Sequence, residues 1–304
     1  MADPPQLLRT ISLPGVRGRI DHLGLDLEGH RLFIAALGND SIEVVDLRAG
    51  TRSARIEHLR EPQGVAYVPA ARRIYVANAG GGIDLFASDT LAPVGRIAGL
   101  EDADNLRVDL ENGLLYVGYG AAIAVVQSST AQLSGRIRLP GHPESFQLEN
   151  AGNRIFVNVP SARQVAVVDR RSGTVAGTWE LGDVQGNFPM ALDEVRHRIF
   201  IGARRPASLL VLDTATGKQV AAIPIGGDTD DVFFDVERAR VLAICGEGVL
   251  SVIQQEADTY RETGRITTSP GARTGLWNPA ERMLYVAAPA RGSEPAKILV
   301  YRFK

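Results

Sequence analysis

The chain has 304 residues, 45% of them hydrophobic, which is enough to bury a large core in a single all-β domain. A formal net charge of −2, with charged residues at 22%, gives no excess of either sign, and so favours neither nucleic acid nor an anionic membrane surface as partner. The longest apolar runs, such as AAIAVV at 121–126, are too short to span a bilayer, and the single cysteine, Cys245, excludes an intramolecular disulfide and a multi-thiolate metal site.

The first ten residues, MADPPQLLRT, have neither the basic start nor the apolar segment of a secretory leader. Two readings stay open there: a chain that remains in the cytoplasm, or a mature start to which Met1 has been added. LLRTISLPG (7–15) then reads as a strand with no sequence-adjacent partner. From Leu32 onward one apolar pattern recurs: LFIAALGNDSIEVVD, IYVANAGGGIDLFAS from Ile74, LYVGYGAAIAVVQ from Leu115 and IFVNVPSARQVAVVD from Ile155. It continues with IFIGARRPASLLVLD from Ile199, VLAICGEGVLSVIQ from Val241 and LYVAAPARGSEPAKILVYR from Leu284. The steps run from 40 to 44 residues, so seven copies share a period near 42.

Each copy reads strand, turn, strand. A short strand precedes it (HLGLD, GVAYV, NLRVD, SFQLE, MALDE, VFFDV, TGLWN), and a further strand, such as RSARIEHL or LSGRIRL, follows all but the last. Nothing sustains a 3.6-residue apolar period, so helices are expected to be nearly absent. Four strands repeated seven times predict an all-β, seven-bladed β-propeller over 1–304, with blades starting near 18, 61, 102, 142, 186, 228 and 271. The last copy lacks its fourth strand and the first is preceded by a surplus one. Residues 7–15 are therefore expected to complete blade seven.

IYVAN with its trailing IDLFAS, and the sister copies ending in VVD and VLD, resemble the YVTN-type repeats of bacterial seven-bladed β-propellers, across nearly the whole chain. The resemblance implies a bacterial or archaeal binding or surface protein, often exported, and hence a periplasmic or extracellular location. Related propeller architectures include lactonases and metal-dependent lyases. No motif here matches those enzymes residue by residue, so no catalytic role is carried over.

Eleven residues before each pattern start stand Asp21, Gln63, Asp104, Glu144, Phe188, Asp230 and Arg273. These are expected to be equivalent positions leading into the innermost strands, at one axial mouth. The four positions from thirteen to ten residues upstream hold eight acids, including Asp228 and Asp231, against Arg19 and Arg273, with His22 and His142 beside them. Three readings stay open. The first is a solvated funnel whose acids hold turns and arginines. The second is a divalent-cation site (Ca2+, Mg2+ or Mn2+) on Asp104, Glu144 and Asp230, with Asp21 and His22 next. The third is a metal-free site for a cationic ligand.

The turns between second and third strands add Arg163, Arg204, Arg205 and Arg291 against Asp40, Glu247 and Glu294, a partly basic rim suited to an anion. Candidate ligand contacts are thus Asp21, Gln63, Asn105, Phe188, Arg204, Arg205, Asp231 and Arg273. The principal functional reading is a propeller that binds a small molecule or a protein at this mouth; a monomer is expected. The alternative is a metal-assisted lyase or lactone hydrolase in which His22, His142 or Glu144 moves the proton. AGGGID (79–84) lacks the Lys-Ser/Thr of a phosphate loop, so no nucleotide cofactor is expected. Cys245 reads as a core residue, and Trp179 and Trp277 as packing between blades.

Overall fold

The computed structural model describes residues 5–304. The seven second strands are Arg31–Ala36, Arg73–Asn78, Leu114–Tyr119, Arg154–Val159, Arg198–Arg205, Arg240–Cys245 and Met283–Ala288. Their apolar runs are buried on both faces, as in Phe33-Ile34-Ala35-Ala36, so each must lie inside a sheet that is itself covered on both sides. Fourth strands behave differently: Thr259–Thr267 alternates exposed and half-buried residues along its length, as an outer strand does. The strands form seven four-stranded antiparallel sheets, each in the order first, second, third, fourth. Blade one, for instance, is Leu23–Asp26, Arg31–Ala36, Ser41–Asp46 and Thr51–Ile56. Three single-turn 3-10 segments are the only helical pieces among the described residues. The fold is the seven-bladed β-propeller that the period predicts.

The surplus N-terminal strand also lies where expected. Gln6–Leu13 pairs with Ala296–Arg302 as the outer strand of the last sheet, beside Met283–Ala288 and Thr274–Asn278. Its Ile11 and Leu13 are fully buried.

Two compact units are formed. One comprises blades one to three (10–143, with 289–298); the other comprises blades four to seven (144–288, with 5–9 and 299–304). Within the first, Phe33 and Ile42 of blade one pack on Val65 and Ile74 of blade two, and Tyr75 and Leu85 of blade two pack on Leu106 and Leu115 of blade three. Within the second, Phe156 meets Ile199 and Ile201, Phe200 meets Val232 and Val241, and Leu242 meets Trp277 and Leu284. Trp179 lies 5.4 Å from Phe156 and Trp277 5.3 Å from Phe303, so both tryptophans pack between strands of the core. Cys245 is fully buried, and burial pushes its thiol up to about 11, which leaves it inert as a nucleophile.

A polar strap accompanies this packing. The residue before the pattern start is arginine in five of seven copies, and each of these arginines reaches the next blade. Arg31 donates to the Ser88 carbonyl, Arg73 to that of Ser129 at 2.9 Å, and Arg154 to that of Thr214. Arg198 pairs with Asp258 at 2.6 Å, and Arg240 lies over the Phe303 ring at 5.2 Å.

Two tests follow. Deleting residues 1–15 strips the outer strand from the last sheet and leaves a long unpaired edge; the expected outcome is loss of the cooperative thermal transition and multimers on size exclusion. At Gly64, a Cβ would lie 2.1 Å from the Asp104 carbonyl oxygen of the next blade, whereas at Gly95 it would meet nothing within 4 Å. Gly64→Ala is expected to cost about 1–3 kcal/mol in denaturant unfolding, and Gly95→Ala to stay within about 0.5 kcal/mol of wild type.

Candidate functional site

The positions eleven residues before the pattern start share one backbone arrangement. The amides of Asp21, Asp104 and Glu144 donate to the carbonyls of Ala35, Gly118 and Asn158 at 2.8, 2.9 and 3.0 Å. The next residue in each, His22, Asn105 or Ser145, accepts from the same second-strand residue. In blades two, five and six the ladder register shifts at this point, and Gln63, Phe188 and Asp230 are carried by the irregularity. A bulge re-aims a side chain without ending the sheet, which is why the same offset yields different surroundings in different blades.

In blades one to three the structure brings together Asp21, His22, Asp104 and Asn105. His22 Nε2 stands 3.8 Å from Asp21 Oδ1 and 3.8 Å from Asp104 Oδ1, with Asn105 Nδ2 at 3.4 Å. Arg19 Nη2 approaches Asp21 Oδ2 at 2.7 Å. Both aspartates are buried. Both Asp21 oxygens and Asp104 Oδ1 lack a hydrogen-bond donor among the described residues, so the contact with Arg19 is an ion pair without hydrogen-bond direction. Burial pushes the Asp104 carboxyl up to about 6; the charge of His22 opposes this, Asp21 adds to it, and His142 and Arg19 oppose it. His142 Nδ1 lies 3.0 Å from the Gly120 carbonyl, which can only accept, so this nitrogen carries the proton; Asp102 Oδ2 is 3.3 Å away.

Blades four to seven hold a different arrangement. Phe188 lies under the Arg204 guanidinium, 4.3 Å from ring centroid to carbon. Arg204 reaches Asp230 at 2.6 Å and Asp228 at 3.2 Å, and Arg273 reaches Asp230 at 3.0 Å and Asp228 at 3.1 Å. Asp231 Oδ2 accepts the Gly275 amide of blade seven at 2.8 Å and ties two sheets together. Beside the network opens a cavity of 710 Å3, lined by Phe188, Arg204, Asp228, Gln185, Arg163 and Arg205 among others. Arg163 and Arg205 are exposed, and among the described residues neither side chain has a hydrogen bond or an ion pair.

Of the three proposed metal ligands, Asp104 joins the His22 group, and Asp230 is held by two guanidiniums. Glu144 shows its backbone tie to Asn158. Among the described residues no group of three or more His, Cys, Asp or Glu side chains could hold a metal ion. The cavity residues Gln185 and Asp228 were not singled out as contacts by sequence reasoning. Asp228 was visible only as one of the upstream acids, and nothing in the sequence marks which of two acids two residues apart faces solvent.

The raised Asp104 pKa has a stability consequence. The folded protein holds this proton more tightly than the unfolded chain, whose value is near 3.8. The contribution is therefore present below pH 4 and lost as pH rises through about 6, with a ceiling of about 3 kcal/mol. Asp104→Asn is expected to melt higher than wild type at pH 8, by several degrees, and the gap to close as pH falls to 4. Thermal melts across that range check it; equal melting curves at pH 8 would contradict the burial argument.

No protein-family model matches the chain, and no curated protein matches it. Among solved structures it is similar to a chain from "Crystal Structure of Mitotic Checkpoint Complex", with a TM-score of 0.82 and 14% sequence identity over 97% of this chain and 91% of that one. At this identity the likeness shows the fold alone, a seven-bladed β-propeller.

Proposed function

We propose that this chain is a binding propeller that recognises a protein partner through an acidic segment seated in the cavity of blades four to six. The observation that carries the reading is the pair Arg163 and Arg205, exposed and unpartnered among the described residues, on the wall of a 710 Å3 cavity. Small-molecule sites are lined mostly by apolar side chains with few polar groups. Here three of the nine lining residues are arginines against one acid, Asp228, with Phe188 and Pro160 the large apolar members, as suits a negatively charged chain segment. The solved neighbour belongs to a multiprotein assembly, and YVTN-type repeats are described in binding and surface proteins; both favour a binding role over a catalytic one.

Fluorescence anisotropy with fluorescein-labelled hexaglutamate, at low ionic strength, tests the reading. Saturable binding to wild type is expected, weakened about tenfold or more in Arg163→Gln/Arg205→Gln and lost at high salt. Hexalysine is expected not to bind. Equal binding by wild type and the double variant would remove the cavity from consideration, and full competition by citrate at equal charge would assign it to small anions instead.

A further inference from the structure

We propose that Asp228 is a built-in competitor for the acidic segment: its carboxylate rests on Arg204 and Arg273 until a carboxylate of the ligand replaces it. This rests on the reading of the cavity as an anion site. Arg204 and Arg273 share two acidic partners, and the two differ in burial. The Asp230 side chain is 10% exposed and lies between the guanidiniums, with Arg204 Nη2 at 2.6 Å and Arg273 Nε at 3.0 Å. The Asp228 side chain is 41% exposed, with Arg204 Nε at 3.2 Å and Arg273 Nη1 at 3.1 Å. Short, shielded, charge-assisted contacts are the strong ones. Ion pairs open to water contribute little because solvent screens them.

Asp230 therefore orients the two arginines, and Asp228, which lines the cavity, is the exchangeable partner. Arg204 is further fixed by its hydrogen bond to the Thr229 carbonyl at 3.2 Å and by the Phe188 ring. Once Asp228 swings out, an oriented guanidinium fork remains, and that geometry matches a carboxylate. The partner's acid thus replaces a carboxylate already present, which favours a ligand able to offer more than one acidic group.

The backbone at Asp228 is left-handed, with φ of 58°. Asn tolerates this region and Gly adopts it freely, so both substitutions preserve the turn. The experiment is a double-mutant cycle read by anisotropy with the hexaglutamate probe, on Asp228→Asn, Asp228→Gly, Arg204→Gln and Asp228→Gly/Arg204→Gln, with circular dichroism confirming that each folds. Both Asp228 variants are expected to bind about fivefold tighter or more than wild type. Arg204→Gln is expected to weaken binding about fivefold more in the Asp228→Gly background than in wild type, the size of a direct coupling.

A uniform gain in positive potential would tighten binding without that coupling, so additive effects overturn the proposal, as does unchanged affinity in both Asp228 variants. Sulfate serves as a second probe that does not depend on the peptide. It is expected to raise the melting temperature of Asp228→Gly more than that of wild type, against chloride at equal ionic strength. If peptide binding ignores Arg163 and Arg205, the partner reading fails, and the sulfate comparison decides the role of Asp228 alone: equal shifts in the two proteins overturn it.

Discussion

The constraint on which this fold depends is burial of the second strand of every repeat on both of its faces. Runs such as Phe33-Ile34-Ala35-Ala36 and Leu242-Ala243-Ile244-Cys245 have no polar side to turn toward water. A lone sheet cannot satisfy them, and a two-sheet sandwich covers only one face of each. Stacking like sheets face against face satisfies every copy with the same solution, and this is why the sequence repeats a motif at all. The outer strands then escape the constraint. Thr259–Thr267 and Gln132–Arg138 alternate or stay largely exposed.

Apolar packing between sheets is weakly directional, and the polar contacts supply register. The Asp21, Asp104 and Glu144 amides fix where the leading loop joins its sheet, and the His22 amide donates to the Gln63 carbonyl of the next blade as Ser145 does to that of Phe188. The arginine straps do the same at the opposite end of the second strand. Arg240 shows the arrangement at full burial: it pairs with Asp235 at 2.8 Å, both side chains nearly inaccessible, while its guanidinium faces Phe303. Removing one member of such a pair would leave an uncompensated buried charge, which is far costlier than the pair is stabilising. Most arginines in the molecule are thus committed to structure, and that gives the uncommitted Arg163 and Arg205 their meaning.

How much of this could be read from the chain divides along physical lines. The period, the strand count and the exchange of the N-terminal strand into the last sheet were legible, because each is a statement about patterns of apolar side chains. Equivalence of Asp21, Asp104 and Glu144 was legible for the same reason: a constant offset from a constant strand. What happens at Gln63, Phe188 and Asp230 was not, since a shifted ladder moves a side chain by one residue without altering composition. The arginine before the pattern start lies in plain view at Arg31, Arg73, Arg154, Arg198 and Arg240, yet its reach across to the next sheet is a three-dimensional fact. Counting charge in four-residue windows found an excess of acids, but it could not see that Arg204, twenty-six residues upstream of Asp230, supplies the opposite charge.

That compensation changes what the acids mean. A cluster of carboxylates counted along the chain suggests a cation site, and in three of them the structure shows local contacts of different kinds. Asp230 is held by two guanidiniums, Asp231 accepts a backbone amide, and Asp104 is pushed toward its neutral form by burial. Pairing with an arginine, accepting a hydrogen bond and holding a proton more tightly are three ways of lowering the cost of a carboxylate out of water. Asp228 shares the two guanidiniums of Asp230 but is more exposed than it, at the edge of the cavity. Charge that the fold needs is buried and paired; charge left accessible beside free guanidiniums is what an incoming ligand meets, and in this propeller that boundary falls between residues 228 and 230.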